Sequence, residues 1–298
     1  ITDMINRFTT IARPKPVRPI IQGYDVVYSV VPGLTPDVCR ELHMDIIVPR
    51  TSEPLPLIVV YPGGGFKTAD RHLYLPMRMA LANAGYVVAC AEYRTIPDTF
   101  PALVEDAKAA LRYLQANAKA YNINPDLIGV IGLSAGGYVS NMVGATEGDE
   151  GFGPAPKVKA VATLYGISDL RNIGEGLGDE VVAIHESCSS SESLLLNGVA
   201  FPGNAPKSVV EIADKALKAS PMGHLDSPKP PFLLMAGTED NIVSPIQSKQ
   251  WFEALRAAGH KANLVMIDGA GHENDPCWAQ DEVNDILVRW FDYHLNQS

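Results

Sequence analysis

Short apolar runs alternate with longer amphipathic segments along most of this chain. Runs rich in apolar and β-branched residues predict strands at residues 24–31, 39–48, 57–61, 86–92, 127–131, 158–165, 231–237 and 264–267. Helix-like segments cover residues 71–84, 100–121, 137–144, 244–259 and 281–295. Apolar strands alternating with helices are typical of a mostly parallel sheet covered on both faces. The pattern predicts an α/β fold, with an N-terminal arm at residues 1–23 and a single domain at residues 24–298.

One long stretch interrupts this alternation. Residues 171–226 separate two predicted strands and contain several glycines, a serine cluster at 187–193 and a helix-like segment at 208–219. The stretch is either an irregular surface excursion or a cap over a functional site. Long inserts in compact domains tend to be lids or binding loops, which favours the cap.

The pentapeptide Gly132-Leu133-Ser134-Ala135-Gly136 lies between a buried strand pattern and a helix-like segment. Gly-x-Ser-x-Gly in that setting is a nucleophile elbow, a sharp turn that projects the serine hydroxyl from the end of a strand. A Cβ atom at either outer position would clash where strand and helix close together, which explains the two glycines. We therefore predict Ser134 as a catalytic nucleophile.

A second glycine-rich turn, Gly63-Gly64-Gly65, follows the apolar strand that ends at residue 60. Glycines leave backbone N–H groups unobstructed, so a donor from Gly64 or Gly65 can pair with the N–H of Ala135 on a developing oxyanion. A plain glycine turn is the alternative interpretation. The position directly after a buried strand favours the oxyanion hole.

The chain has seven histidines, and His272 is the best placed to act as a general base. It lies in the glycine-rich loop that follows the last predicted strand, as the Ser, Asp/Glu, His order of this fold requires. None of the other six histidines has such a position; they are His43, His72, His185, His224, His260 and His294.

The acidic partner of the histidine is expected in the loop after the preceding strand. Asp240 lies there and is the residue that we predict. Its role would be to accept the Nδ1–H of the histidine and to stabilise the imidazolium. The alternatives are the adjacent Glu239, Asp169 after an earlier strand, and Asp275 in the histidine loop.

The composition of the chain limits the kinds of molecule that it is expected to bind. A net charge of −10, from 34 acidic and 24 basic residues, argues against nucleic acid and polyanionic substrates. No segment is long and apolar enough to predict a membrane span. The cysteines at positions 39, 90, 188 and 277 lack metal-ligand spacing, so no metal site is predicted. Cys90 is expected in the core, and a bridge between Cys188 and Cys277 stays open.

Together these motifs resemble the α/β-hydrolase superfamily, and within it the acyl esterases related to hormone-sensitive lipase. The nearest resemblance is to bifunctional feruloyl/acetyl-xylan esterases, over roughly residues 24–295. Besides the two glycine motifs, the resemblance is carried by Glu92-Tyr93-Arg94, Phe100-Pro101-Ala102-Leu103, Asp106, Ser220-Pro221, Pro230-Pro231-Phe232, Asp240, Gln247-Ser248 and Gly269-Ala270-Gly271-His272. Pro62 stands where some lipase relatives have a histidine.

The resemblance implies a serine esterase with the triad of Ser134, Asp240 and His272 and no cofactor. It implies a small-molecule or oligosaccharide ester as substrate, with acetyl or hydroxycinnamoyl groups on plant cell-wall carbohydrate. Phe66 and Trp278 are candidate substrate-binding residues, since an aromatic ring can contact a sugar or a phenolic acyl group. A secreted or periplasmic location would fit, and the oligomeric state is left open. The alternatives are a small-molecule amide hydrolase and a binding protein that has lost catalysis.

Overall fold

The computed structural model describes residues 21–35, 37–273 and 276–296. Within these residues the strands form one eight-stranded sheet in the order β1-β2-β4-β3-β5-β6-β7-β8. The first two strand pairs of that order are antiparallel and all later pairs are parallel. The strands are β1 (Ile21–Pro32), β2 (Cys39–Pro49), β3 (Leu55–Tyr61), β4 (Val87–Ala91), β5 (Ile123–Leu133), β6 (Ala160–Leu164), β7 (Phe232–Gly237) and β8 (Ala262–Ile267).

Helices cover both faces of this sheet. They are α1 (Leu75–Asn83), α2 (Ala102–Ala116), α3 (Ala135–Ala145), α4 (Asp179–His185), α5 (Ser191–Asn197), α6 (Ala213–Lys218), α7 (Ile246–Ala257) and α8 (Asp281–Leu295). Leu103, Val139 and Trp251 belong to the core on one face, and Leu81 and Phe291 to the core on the other. The predicted α/β fold is confirmed, and the apolar strands are explained because both faces of the sheet are buried.

Several predicted elements have different bounds in the structure. The helix predicted from residue 71 begins at Leu75, because Tyr74 has a left-handed backbone with φ of 59°. The helix predicted over residues 100–121 ends at Ala116, and a separate 3₁₀ turn follows at Ala118–Tyr121. The strand predicted at residues 127–131 is longer in the structure, because β5 starts at Ile123 and pairs there with Leu55.

The predicted arm falls mostly outside the described residues, and its last three positions, 21–23, belong to β1. Among the described residues, no helix combines the length and apolar character that crossing a membrane requires. Cys90 is buried in β4. The described cysteines at positions 39, 90, 188 and 277 form no disulfide bond, so the open pair Cys188 and Cys277 is not bridged.

The stretch at residues 171–226 is structured and packed against the rest of the domain. It contains α4, α5, α6 and a 3₁₀ turn, so the helix expected over 208–219 is shorter than its pattern. Leu195 and Leu196 of α5 are buried in the core. The N–H of Phe100 donates to the carbonyl of Leu195 at 2.9 Å, and that of Ser244 to Ile173 at 2.9 Å. The stretch is therefore held at the edge of the sheet where β6 and β7 end.

Candidate active site

Three predicted side chains meet at one edge of the sheet because their strands are parallel and close together. Ser134 follows β5, Asp240 follows β7 and His272 follows β8, and these strands lie in the continuous run β5-β6-β7-β8. The carboxyl ends of parallel strands lie on the same side of a sheet. Residues far apart in the chain are brought together in this way.

The turn at Ser134 has the strained geometry of an elbow. Ser134 has φ of 54° and ψ of −119°, outside the regions that serine normally occupies. A Cβ atom on Gly132 would lie 1.9 Å from the carbonyl oxygen of Gly136, and one on Gly136 would lie 2.0 Å from that of Tyr61. Both positions therefore require glycine, as the sequence predicts. The Ser134 N–H donates to Leu164 O on β6 at 3.0 Å, which anchors the turn.

A continuous line of hydrogen bonds joins the three side chains. The Ser134 hydroxyl lies 2.8 Å from His272 Nε2, and His272 Nδ1 lies 2.7 Å from Asp240 Oδ2. With an ionised aspartate, Nδ1 carries the proton and donates it, which leaves Nε2 free to accept from the serine hydroxyl. All three residues are buried, with exposures of 7%, 8% and 2% in that order along the line. This arrangement can activate a hydroxyl as a nucleophile.

The loop after β7 holds the Asp240 carboxylate in place. Its Oδ1 accepts backbone N–H groups from Ile242 at 2.9 Å and Val243 at 3.0 Å, while Oδ2 faces the histidine. The competing carboxylates are placed differently. Glu239 is exposed, and Asp169 forms an ion pair with Arg171 at 2.7 Å. Asp275 lies outside the described residues.

The glycine turn after β3 lies beside the nucleophile strand, since β3 pairs with β5. Gly64 and Gly65 have φ of 145° and 60°, and a Cβ atom on Gly64 would lie 2.3 Å from Thr68 O. Within the described chain, the N–H groups of Gly64, Gly65 and Ala135 have no hydrogen-bond acceptor. Ala135 is also the first residue of α3, whose aligned peptide dipoles favour negative charge at this end. These donors suit a developing oxyanion.

Aromatic rings support the histidine. The ring of Tyr165 lies 4.8 Å from that of His272 and 4.7 Å from that of Trp278, measured between centroids. Trp278 Nε1 donates to the carbonyl of Gly271 at 3.0 Å, which fixes the loop just before the histidine. Burial raises the pKa of Tyr165 well above its ordinary value, so its phenol stays protonated. Tyr165 is not among the residues predicted from the sequence, although its position directly after β6 was an available signal.

The two candidate substrate-binding aromatics occupy different surroundings. Trp278 lines a cavity of about 240 Å³ together with Tyr74, Leu133, Tyr165 and Glu273. Phe66 is 2% exposed and its ring packs edge-on against Tyr138, with centroids 5.4 Å apart. Trp278 therefore borders an open cavity, whereas Phe66 is buried in the core.

In the portion of the chain that the structure describes, no group of three or more His, Cys, Asp or Glu side chains is placed to bind a metal ion. The described residues of the site offer a serine hydroxyl, an imidazole, a carboxylate and backbone N–H groups.

The sheet order, the elbow and the order of the three loops define an α/β-hydrolase. The BD-FAE family, the bifunctional feruloyl/acetyl-xylan esterases, matches residues 44–255, and the chain belongs to this family. The family is one of carboxylic ester hydrolases.

The curated relatives that match are longer than this chain. A probable carboxylic ester hydrolase, LipM, of Mycobacterium tuberculosis is 26% identical over 74% of this chain and 48% of its own length. The isoprenylcysteine alpha-carbonyl methylesterase ICME of Arabidopsis thaliana is 26% identical over 83% of this chain and 58% of its own length. The chain thus spans about half the length of the curated relatives that it matches.

Solved structures share the fold along nearly the whole chain. A truncated carbohydrate esterase from gut microbiota superimposes with a TM-score of 0.78 at 22% identity, covering 95% of this chain and 99% of that one. An acetyl ester-xyloside bifunctional hydrolase from Caldicellulosiruptor lactoaceticus gives a TM-score of 0.71 at 23% identity, covering 94% and 98%. At this level of identity, the likeness establishes the fold.

Proposed function

We propose that this protein hydrolyses carboxylic esters with Ser134 as nucleophile, His272 as general base and Asp240 as the partner of the base. The observation that carries the proposal is the unbroken line of hydrogen bonds from the serine hydroxyl through the imidazole to the buried carboxylate. A serine hydroxyl is a weak nucleophile unless an adjacent base removes its proton during attack.

The reaction proceeds in two halves. The Ser134 oxygen attacks the ester carbonyl carbon while its proton passes to His272 Nε2, and the N–H groups of Ala135 and of Gly64 or Gly65 stabilise the resulting oxyanion. Collapse of this intermediate breaks the bond to the alcohol, which leaves with the proton from His272. Water then attacks the acyl-enzyme by the same route, giving a carboxylic acid and free serine.

The proposed substrates are acetyl or feruloyl esters of plant cell-wall carbohydrate. Family membership supports this class, and two similar solved structures are described as a carbohydrate esterase and an acetyl ester-xyloside hydrolase. The aromatic cavity beside the histidine loop is also compatible with a sugar or phenolic ring. We further propose that residues 171–226 form a cap that selects the acid and alcohol portions of the substrate. Helices α4, α5 and α6 support this proposal, since they lie in the connection that runs from the carboxyl end of β6 to the start of β7.

The test is hydrolysis of a matched panel of esters by the wild type and by Ser134→Ala. The panel contains 4-nitrophenyl acetate, longer 4-nitrophenyl acyl esters, methyl ferulate, an acetylated xylo-oligosaccharide and, as an amide, a formanilide. Ser52→Ala is the matched control, because Ser52 lies in the exposed turn that precedes β3, at the opposite end of the parallel sheet.

We expect kcat to fall at least about a thousandfold in Ser134→Ala and to remain at the wild-type level in Ser52→Ala. Preferred turnover of the acetylated oligosaccharide or methyl ferulate would support the carbohydrate substrate. Preference for simple acyl esters would refute that substrate class and leave the mechanism intact. Turnover of the formanilide alone would establish an amide hydrolase instead.

A further inference from the structure

One phenol connects the glycine turn to the histidine loop. The N–H of Gly63 donates to Tyr74 Oη at 3.1 Å, and Tyr74 Oη donates to Glu273 Oε2 at 2.9 Å. Gly63 directly precedes the two candidate oxyanion donors, and Glu273 directly follows His272. The phenol therefore accepts from one loop and donates to the other.

The direction of both hydrogen bonds is determined by the groups involved. A backbone N–H can only donate, so Tyr74 Oη must accept from Gly63 and use its own proton toward Glu273. Burial, followed by the Glu273 carboxylate, raises the pKa of Tyr74, which keeps that proton in place. This pair of bonds joins the loop of Gly63 to the loop of Glu273, and Tyr74 itself is 199 residues from Glu273 in the chain.

Gly63 lies close to both the Tyr74 phenol and the Glu273 carboxylate. A Cβ atom on Gly63 would lie 2.9 Å from Tyr74 Oη and 3.0 Å from Glu273 Oε2, so any larger residue would displace the phenol or the carboxylate. Tyr74 itself has φ of 59°, a conformation rare for a bulky residue, at the start of α1. Strained backbone of this kind persists where surrounding contacts determine it.

We infer that Tyr74 and Glu273 are positioning residues that set the distance between the oxyanion donors and His272. The inference rests on the proposed function. An oxyanion hole is effective only when its donors are already in place before charge develops, and a misplacement of about 1 Å can cost about a hundredfold in rate. The two hydrogen bonds through Tyr74 hold the loop of the oxyanion donors against the loop of His272. They can do so without contacting the reacting atoms of the substrate.

The experiment compares Tyr74→Phe, Glu273→Gln and Glu273→Ala with the wild type on the best ester of the panel. Tyr74→Phe retains the ring and removes both hydrogen bonds. Glu273→Gln retains an oxygen acceptor, whereas Glu273→Ala does not. Tyr113→Phe is the matched control, since the Tyr113 hydroxyl contacts Tyr121 at 3.4 Å and neither residue belongs to the candidate site.

We expect kcat to fall about tenfold to a hundredfold in Tyr74→Phe, with KM changed by less than about threefold. Glu273→Gln should retain more activity than Glu273→Ala, because its amide oxygen still accepts from the phenol. Thermal unfolding of each variant reports its folding, and if Tyr74→Phe does not fold, the two Glu273 variants decide the question.

Wild-type kcat in Tyr74→Phe, or equal losses in Glu273→Gln and Glu273→Ala, would overturn the inference. Equal changes in kcat for Tyr74→Phe and Tyr113→Phe would do the same. Failure of the proposed function is a separate result, because it appears as an inactive wild type or an active Ser134→Ala.

Discussion

Asp240 performs two tasks with its two carboxylate oxygens. Oδ1 accepts two backbone N–H groups of its own loop, and Oδ2 accepts from His272. The first task fixes the carboxylate, and the second selects the histidine tautomer that leaves Nε2 able to take a proton. These tasks can be separated by one substitution.

In Asp240→Asn, the amide oxygen can keep the two backbone hydrogen bonds, so the amide NH₂ faces His272. His272 must then accept at Nδ1 and carry its proton on Nε2, where it can no longer accept from Ser134. We expect kcat to fall about ten-thousandfold while the thermal unfolding midpoint stays close to that of the wild type. Steady-state kinetics and thermal unfolding measure the two effects.

Glu239→Gln is the matched control for this change, because Glu239 is the adjacent, exposed carboxylate. Its activity should equal that of the wild type. A large loss in Glu239→Gln with none in Asp240→Asn would transfer the proposed acidic role to Glu239.

Among individual residues, the ones that could be predicted from the sequence are those whose type is dictated by chemistry or sterics. Ser134 and His272 were predicted from glycine-rich loops after strands, and the structure places both in hydrogen-bond contact. Tyr74, Tyr165 and Glu273 were not predicted. Their roles depend on which loops become neighbours, and an aromatic or acidic residue in a loop carries no local pattern that reveals this.

Among the elements, α4 and α5 connect the 171–226 stretch to the Asp240 loop through His185. His185 Nδ1 lies 2.6 Å from Glu192 Oε1, and Nε2 lies 3.0 Å from the carbonyl of Ile242. Ile242 in turn donates its N–H to Asp240. Burial lowers the pKa of His185 and the hydrogen bond to Glu192 raises it, with a net rise above the ordinary value.

A group whose pKa is raised by folding stabilises the folded state most below its unfolded pKa, and that contribution is lost as pH rises through the folded pKa. We therefore expect the wild type to lose stability, relative to the double variant His185→Gln/Glu192→Gln, as pH increases from about 5.5 to about 8.5. Urea unfolding at both pH values measures the difference. The double variant removes both partners, so no unpaired buried carboxylate remains. A constant difference would show that His185 does not carry this charge.

Helices and strands differed in how well their patterns predicted them. Buried strands such as β3 and β4 are continuous apolar runs and were recognised within a few residues. Helices α4 and α5 were missed because each has only seven residues, too few for a reliable repeat. Ser190 caps α5 by accepting from Ser193 N–H, so part of the serine cluster begins a helix.

The net negative charge of the whole molecule affects how strongly charged substrates are attracted to it. The chain carries a net charge of −10. A field of that sign reduces the local concentration of anionic substrates, and added salt screens it. Neutral acetyl and feruloyl esters are not subject to this repulsion.

We expect kcat/KM for an anionic ester, mono-4-nitrophenyl succinate, to rise about twofold to fivefold relative to neutral 4-nitrophenyl butyrate between about 10 mM and about 500 mM NaCl. The neutral ester serves as the control for general effects of salt. A ratio that falls with salt would indicate local attraction of anions at the site.

Fold class could be predicted from the alternation of elements, but the order of strands could not. Chain order places β3 before β4, whereas in the sheet β4 lies between β2 and β3, and the first two strands run antiparallel. These features depend on crossover connections and on pairing between distant segments, which a local pattern of apolar residues does not encode.

The order of the three loops along the chain also determines at which stage of folding the proposed catalytic triad is complete. Ser134 and His272 are 138 residues apart, and the loop that carries His272 follows the last strand. Contacts of such long range must overcome the entropy of closing a long loop and tend to form late in folding. A nascent chain therefore exposes its serine long before it possesses a base. After denaturation, regained esterase activity would report that β8 has docked, not merely that the chain has collapsed.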